Sequence, residues 1–402
     1  MTRPELACPS QYEGSMLPYG RQTIDEADIA AVVEVLRSPM LTCGPLVGRF
    51  EQALARRLGA AHAAVCSSGT AALHLAYAAL GIAEGDEIIT TPVTFSATAA
   101  AAYYVGAKVR FADVDPHTGN LDPTTVEALI GSRTRAIVPV HLGGMPVDLE
   151  PLQALAQRYG LALIEDACHA LGAEYHSTPI GGQRSDATVF SFHPVKHITT
   201  GEGGAVVTPH ADLDQRIRRL RQHGVEREPS RLQAPAAGAW SYEVQELGWN
   251  YRLSDIACAL GLTQLAKLDA FVARRRELAA LYRTRLAQVF PADAVATPVE
   301  PGDRTSSYHL FAIAIDFARF ATTRAQVVDQ LAAAGIGTQV HYIPLLQHPL
   351  HARRCPGEVG RPRPGTDHYY ARTLSVPLFP AMTDADVGEV VAQLHRVLGD
   401  PS

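Results

Sequence analysis

Lysine is scarce in this chain compared with arginine. Only three of its 35 basic residues are lysines, Lys108, Lys196 and Lys267, and the other 32 are arginines. Arginine supplies ordinary surface charge, but its guanidinium stays protonated and cannot act as a reactive amine. Because lysine is scarce, each of the three is modestly more often expected to serve as a reactive amine. The sequence around each lysine indicates which of them does so.

The chain also lacks a cysteine framework. None of its six cysteines forms a C-x-x-C pair or has the spacing of a zinc site, which favours scattered reduced thiols over a disulfide scaffold or a metal module. The N-terminus has no basic-then-apolar signal architecture. We therefore expect a cytoplasmic protein without a metal site.

An excess of positive charge is missing as well. The formal net charge is -6 and the pI is about 6.2, which argues against binding nucleic acid through a basic face. The 402 residues are 47% hydrophobic and 19% charged, enough for a large core and too apolar for a disordered chain. Residues 88–107 are uncharged, but Pro92 and four threonines there favour a buried strand-turn-helix over a membrane span.

Short apolar runs alternate with helical stretches from about residue 60 to 210. Such alternation predicts an α/β fold with a mainly parallel sheet covered on both faces. Within it we expect a helix over residues 124–130. Residues 254–285 form a long helical stretch, either one helix or two abutting ones. The C-terminal region after it has the pattern of a compact α+β domain, in which we expect a strand over residues 338–342. We divide the chain into a tail (1–16), a large domain (17–270) and a small C-terminal domain (271–402).

The sequence S-S-G-T-A at residues 67–71 follows a predicted strand and opens a helix. Free backbone N–H groups at a helix start favour a phosphate, and the hydroxyls add donors. The stretch is neither a P-loop nor a dinucleotide fingerprint. A plain helix cap is the competing interpretation.

Glu165 and Asp166 end the buried strand that begins near Leu161. Ligands of open α/β sheets gather at the carboxyl ends of strands, so Asp166 is expected in such a crevice. A carboxylate there can bind a metal or hold a ring nitrogen protonated. The alternative role is a helix N-cap, which aspartate also suits.

Lys196 follows another apolar strand, in a turn with His193 and His197, and glycines come after it. Desolvation at a strand end lowers a lysine pKa from about 10.4, as a Schiff-base lysine requires. The alternative is a surface lysine in a β-turn.

These stretches together fit one cofactor, pyridoxal 5′-phosphate. It needs an amine for its aldehyde, a carboxylate for its pyridine nitrogen, a helix N-terminus for its phosphate and an aromatic face for its ring. Lys196, Asp166, residues 67–71 and Phe95 are the candidates.

Five motifs carry a family resemblance that extends from about Leu17 to the C-terminus. They are P-x-T-F-S-A-T (92–98), I-E-D-A-C-H-A-L-G (164–172), V-F-S-F-H-P-V-K (189–196), T-G-E-G-G (200–204) and G-W-N-Y-R-L-S-D (248–255). With them the sequence resembles the DegT/DnrJ/EryC1/StrS nucleotide-sugar aminotransferases. Finer motifs are similar to the pseudaminic-acid branch of that family: P-Y-G-R-Q-T-I-D (18–25), S-P-M-L-T-C-G-P (38–45), H-T-G-N-L-D (117–122) and H-Y-I-P (341–344).

The resemblance implies a fold type I pyridoxal-phosphate enzyme whose large domain has a seven-stranded sheet. Lys196 matches the lysine that binds the cofactor covalently, and Asp166 the partner of the pyridine nitrogen. Asn250 matches a residue that reaches the phosphate in a neighbouring subunit, which implies a homodimer with shared sites. The other implied cofactor contacts are Gly69, Thr70, Ala71, Phe95, His169 and Ser191, and the implied substrate contacts are Tyr19, Leu41, Thr42, His341 and Tyr342.

The resemblance also implies a reaction, the transfer of an amino group from L-glutamate to C4 of a UDP-linked 4-keto-6-deoxy-N-acetylhexosamine. An aminotransferase for another nucleotide sugar, such as a dTDP-4-keto-6-deoxyhexose, is the nearest alternative. A family dehydratase with histidine at the lysine position, and a non-catalytic relative, are less consistent with Lys196 and Asp166.

Overall fold

The computed structural model describes residues 16–182 and 184–400. The predicted tail therefore lies, except for Met16, outside the described residues. The strands of the described part are β1 (His62–Cys66), β2 (Glu87–Thr90), β3 (Lys108–Phe111), β4 (Thr134–Val138), β5 (Ala162–Asp166), β6 (Glu174–Tyr175), β7 (Thr178–Pro179), β8 (Ala187–Ser191), β9 (Gly204–Thr208), β10 (Val225–Glu226), β11 (Glu243–Val244), β12 (Val295–Ala296), β13 (Arg304–Thr305), β14 (Phe311–Ile315) and β15 (Thr373–Val376).

The α-helices of the same part are α1 (Glu26–Arg37), α2 (Pro45–Leu58), α3 (Gly69–Ala79), α4 (Ala97–Tyr104), α5 (Leu149–Tyr159), α6 (Ala211–Leu220), α7 (Asp255–Ala266), α8 (Leu268–Val289), α9 (Arg324–Ala333), α10 (Pro349–Arg354), α11 (Pro364–Arg372) and α12 (Asp384–Leu398). No single one of these helices combines the length and the apolarity needed to cross a membrane. The pair α7 and α8, bent by 56° at their junction, meets that test by length and composition only.

The large sheet has seven strands in the order β1-β9-β8-β5-β4-β2-β3. Only β9 runs antiparallel to its neighbours, while β8, β5, β4, β2 and β3 are parallel. Parallel strands end at the same edge of a sheet. The carboxyl ends of β5, at Asp166, and of β8, at Ser191, therefore lie side by side.

Successive residues along the strands of the large sheet are buried in two different hydrophobic cores, one on each face of the sheet. Val65 and Ile89 pack on one face with Leu54 of α2, whereas Ala64 and Ile88 pack on the other face with helices α3, α4 and α6. Side chains alternate along a strand, so a strand that is covered on both sides reads as a continuous apolar run. This is why these strands were visible in the sequence.

The C-terminal part has a core of its own around a three-stranded sheet, β12-β14-β15. Helix α8 belongs to both regions, because Val272 packs in the core of the large sheet and Leu278 in the C-terminal core. The predicted boundary at residue 270 falls in this helix. The division into two domains stays a prediction.

Two predicted elements are wrong. Residues 124–130 form two short 3-10 turns, Pro123–Thr125 and Glu127–Leu129, instead of an α-helix. Asp122 accepts hydrogen bonds from both the backbone N–H and the hydroxyl of Thr124, and such local bonds compete with helix formation. Residues 338–342 do not form a strand. Only Gln339 pairs there, with Ser375, before the chain turns away.

Candidate active site

A cavity of about 690 Å³ opens at the carboxyl edge of the large sheet. It is bounded by the ends of β5 and β8, the start of α3, and the segment 339–348 from the C-terminal part. Ten predicted site residues line it: Tyr19, Gly69, Thr70, Phe95, Asp166, His169, Ser191, Lys196, His341 and Tyr342. The fold thus brings together side chains that are up to 323 positions apart in the chain.

Lys196 lies five residues beyond the end of β8, in a turn closed by its own N–H donating to the His193 carbonyl at 2.8 Å. The residue is half-buried, but burial of its amine lowers the pKa from 10.5 to about 8, against the smaller raising effects of Cys168 and Asp166. The Nζ atom lies 3.4 Å from Nε2 of His309. A substantial fraction of the amine is therefore neutral near pH 8.

The lowered pKa of Lys196 predicts that its amine reacts at a lower pH than the amine of Lys267. Below pH 8 the amine is mainly protonated and unreactive, and above it the neutral form dominates. We expect labelling of the cofactor-free protein by [13C]formaldehyde and a reductant to rise at Lys196 through about pH 8. NMR of the labelled protein, which has only three lysines, measures this directly.

Lys267 is the internal control. Burial alone would lower its pKa, but hydrogen bonds with Asp28 and Asp25 outweigh that effect and raise it. Lys267 should therefore become reactive only at a pH well above that of Lys196. Two lysines that respond at the same high pH would contradict the environment assigned to Lys196.

Asp166 is the last residue of β5 and is 5% exposed. Its Oδ2 accepts a hydrogen bond of 2.7 Å from the hydroxyl of Thr98, and its Oδ1 accepts one of 3.2 Å from the N–H of Cys168. Two donors fix the carboxylate at the cavity wall. A buried carboxylate held in this way is suited to pair with a cationic group of a ligand.

The start of α3 forms a narrow wall beside this carboxylate. Ser68 caps the helix, since its hydroxyl accepts a 3.0 Å hydrogen bond from the N–H of Ala71. A Cβ atom at Gly69 would lie 2.9 Å from Cβ of Ser191 and 3.1 Å from Sγ of Cys168. Only glycine leaves the helix start this close to the end of β8, where an anionic group can meet backbone N–H groups.

His169 holds a defined tautomer on another wall. Its Nδ1 accepts a 3.3 Å hydrogen bond from the N–H of Gly143, so Nε2 carries the proton and donates to the hydroxyl of Tyr342 at 3.1 Å. Burial lowers the pKa of His169 well below its ordinary value, which keeps the ring neutral. Phe95 is 60% exposed at the rim, with its ring centroid 6.2 Å from that of Tyr342.

Four predicted contacts do not line this cavity. Ala71 is buried. Leu41 and Thr42 are exposed, and Thr42 bridges to Ser254. Asn250 is exposed and does not line the cavity. The roles of these residues stay predictions.

The sequence reasoning missed His309 and Thr98. His309 lies 113 residues from Lys196 in the chain, and nothing local to it distinguishes it from a core histidine. Thr98 was visible as the last residue of the motif at 92–98, but its bond to Asp166 depends on how α4 docks on the sheet. His193, Glu202 and Gln339 also line the cavity.

This fold is that of a known class of enzymes. The chain belongs to the DegT/DnrJ/EryC1/StrS aminotransferase family, whose model matches residues 22–395. It is therefore an aminotransferase, and the predicted fold type I architecture is confirmed. The match also supports the predicted use of pyridoxal phosphate by this class.

Three relatives show how far the similarity extends. The spore coat polysaccharide biosynthesis protein SpsC of Bacillus subtilis is 39% identical over 389 residues, 96% of this chain and 98% of its own length. The UDP-4-amino-4,6-dideoxy-N-acetyl-beta-L-altrosamine transaminase of Campylobacter jejuni is 40% identical over 387 residues, 95% of this chain and 98% of its own. The solved structure of Helicobacter pylori PseC, an aminotransferase of pseudoaminic acid biosynthesis, superposes with a TM-score of 0.88 at 34% identity, covering 95% of this chain and 99% of that one.

Proposed function

We propose that this protein is a pyridoxal-phosphate-dependent aminotransferase that moves an amino group from L-glutamate to C4 of a UDP-linked 4-keto-6-deoxy-N-acetylhexosamine. The observation that carries the proposal is the placement of an amine of lowered pKa, Lys196, and a buried carboxylate, Asp166, in one cavity at the ends of adjacent strands. The Campylobacter jejuni and Helicobacter pylori relatives support the choice of sugar.

The residues of the cavity fit the cofactor. Lys196 would hold it covalently, Asp166 would pair with its ring nitrogen, and Gly69, Thr70 and Ser191 would surround its phosphate. Ala71, Phe95 and His169 complete the proposed contacts. The close approach at Gly69, where any Cβ would collide with Ser191, supports a phosphate cradle at this point. When bound, pyridoxal phosphate supplies an electron sink and carries the amino group between donor and acceptor.

The chain's own groups do the positioning and the proton transfer. Because the pKa of Lys196 is about 8, its Nζ can both release and take up a proton near neutral pH, as a general acid-base group requires. Thr98 and the N–H of Cys168 hold Asp166 in place. The neutral imidazole of His169 fixes the hydroxyl of Tyr342 over the same cavity.

The sugar is proposed to bind between Tyr19, His341 and Tyr342. His341 is 5% exposed and hydrogen-bonded through Nδ1 to the hydroxyl of Ser375 at 2.9 Å, and burial lowers its pKa to about 3. It therefore offers a neutral ring to a polar ligand. Leu41 and Thr42, exposed outside the cavity, are the proposed contacts farther along the nucleotide.

Two further features belong to the proposal. Asn250 would reach the phosphate of a neighbouring subunit, so the working unit would be a homodimer with shared sites. The enzyme would act in the cytoplasm. The five cysteines in the described part of the chain are all free, which supports a reducing compartment.

Incubation with candidate keto sugars tests the substrate. The purified enzyme, loaded with pyridoxal phosphate and L-glutamate, is given the UDP-linked 4-keto-6-deoxy-N-acetylhexosamine or a dTDP-4-keto-6-deoxyhexose, and 2-oxoglutarate and amino sugar are measured. We expect kcat/KM at least about tenfold higher for the UDP sugar, since tenfold corresponds to about 1.4 kcal/mol of differential binding. A preference for the dTDP sugar would contradict the proposed sugar substrate but not the aminotransferase activity. If L-glutamate alone gives no 2-oxoglutarate, L-glutamate is not the amino donor.

A further inference from the structure

A second and much smaller cavity shares Lys196 with the first one. It has a volume of about 10 Å³, which is close to the space that a single water-sized occupant needs. It is lined by residues 21–23, the turn at residues 194–199 and the helices α7 and α8, and it opens to solvent at the exposed Arg21 and Gln22. A dicarboxylate or a phosphate ester is too large for it.

The buried charge beside this cavity is not balanced. Arg275 of α8 is 1% exposed, and its Nη1 donates to the backbone carbonyls of Tyr308, His309 and Leu378 at 3.2, 3.3 and 2.8 Å. None of the ion pairs in the described part of the chain includes Arg275. Burial lowers the pKa of its guanidinium to about 10, so the group is still charged at neutral pH, and an unpaired buried charge is costly.

Two polar atoms next to the cavity have no hydrogen-bond partner among residues 16–182 and 184–400. They are Nε of Arg275 and Oγ1 of Thr23, both buried, and both residues line the cavity. Each can donate a hydrogen bond. Buried donors without a partner are rare in folded proteins and call for an occupant.

The other charged residues around the cavity have the same sign. Arg21 and Lys196 line it with Arg275, and no carboxylate of the described part of the chain does. His197 is the remaining titratable neighbour, and burial lowers its pKa well below the ordinary value, so it is neutral. Gln264 also lines the cavity and donates to Asp28 at 2.8 Å, but that carboxylate is already paired with Lys267 at 2.6 Å.

We propose that the protein binds one chloride-sized monovalent anion in this cavity, between Arg275, Thr23 and Arg21. A water molecule would satisfy the two donors but leave the guanidinium unbalanced, whereas a halide does both. The site adjoins the proposed substrate cavity at Lys196, but the proposal does not depend on the identity of the sugar. Since Lys196 lines both cavities, a bound anion also favours the charged form of that amine.

Halide-dependent stability of the cofactor-loaded enzyme tests this site. Tm is measured against NaCl and NaBr with sodium gluconate, an anion too large for the cavity, keeping the ionic strength constant. We expect a saturable rise in Tm with chloride and bromide but not with gluconate. Broadening of the 35Cl NMR line, reversed by bromide, should report the same site independently of enzyme activity.

Thr23→Val is the decisive variant, because it removes the hydroxyl and keeps the shape of the side chain. Loss of one hydrogen bond to a charged group corresponds to about tenfold weaker binding or more, so the halide titration should shift by at least that factor. Thr338→Val is the matched control, since Thr338 also has a buried unpartnered hydroxyl but does not line this cavity. Arg275→Met should abolish the response if the variant folds.

Two results would overturn the proposal. One is an equal response of Tm to chloride and gluconate, which would mean that salt acts by screening and that water fills the cavity. The other is an unchanged halide titration in Thr23→Val, which would place any bound halide elsewhere in the protein.

Discussion

Replacing Lys196 by alanine is expected to lower the rate of amino transfer by about 100-fold to 10,000-fold, the range contributed by a positioned proton-transferring side chain. No other amine can take its place among the described residues. Lys267 is engaged with Asp28 and Asp25, and Lys108 is exposed at the start of β3. The arginines of this chain cannot substitute, because a guanidinium does not lose its proton at neutral pH.

One measurement, with a control variant, separates this expectation from a folding defect. Borohydride reduction followed by peptide mass spectrometry should find the cofactor fixed to the peptide that contains Lys196 in the wild type and on no peptide of Lys196→Ala. Lys108→Ala is the matched control and should keep both activity and the labelled peptide. A well-folded Lys196→Ala protein that still carries the cofactor covalently would refute the assignment.

Changing Asp166 to asparagine should produce the second largest loss, about 100-fold or more in kcat/KM. Asparagine keeps the size of the side chain and can still accept the hydrogen bond of Thr98, so the change removes mainly the negative charge. Preorganised electrostatic groups in buried sites contribute about 100-fold to 1,000-fold each. Steady-state kinetics with saturating pyridoxal phosphate distinguishes a lost charge from weak cofactor binding.

Thr98→Val tests the geometry of the same carboxylate. The variant leaves the charge of Asp166 and removes one of its two hydrogen bonds, so a loss of about tenfold is expected from a bond to a charged group. The order of the effects matters more than their size. A Thr98→Val loss equal to that of Asp166→Asn would mean that the position of the carboxylate, and not its charge, limits the reaction.

Much of the large sheet could be predicted because its strands are short apolar runs that stand out in the sequence. A strand buried on both faces is largely apolar, so runs such as residues 63–66 (A-A-V-C) were recognisable without knowledge of their neighbouring strands. The helices α1 and α2 were not predicted. In α1 part of the apolar face is exposed, as Ile29 and Leu36 show, so its pattern in the sequence is weak. Helix α2 does carry the signals of a helix, with Pro45 at its start, Phe50, Leu54 and Leu58 buried on one face and Gly59 after its end, and it was overlooked.

Prediction of the active site from the sequence was limited in a similar way. Asp166 and Lys196 could be identified because each follows an apolar strand, and strand ends of an α/β sheet converge at one edge. The bond from Thr98 to Asp166 and the contact of His309 with Lys196 span 68 and 113 positions. No local pattern encodes such distances, and they depend on how helices and loops pack against the sheet.

Reading along the chain was enough to give the class of this protein, its sheet, the lysine and carboxylate near the strand ends, and the family to which the chain belongs. Those features follow from side-chain type and spacing along continuous segments. Three-dimensional packing was needed to show which groups surround them and that Leu41 and Thr42 do not line the main cavity. It also showed that Arg275 is buried with no ion-pair partner among the described residues. Burial and charge compensation are properties of residues brought together from distant parts of the chain, so the folded structure is needed to see them.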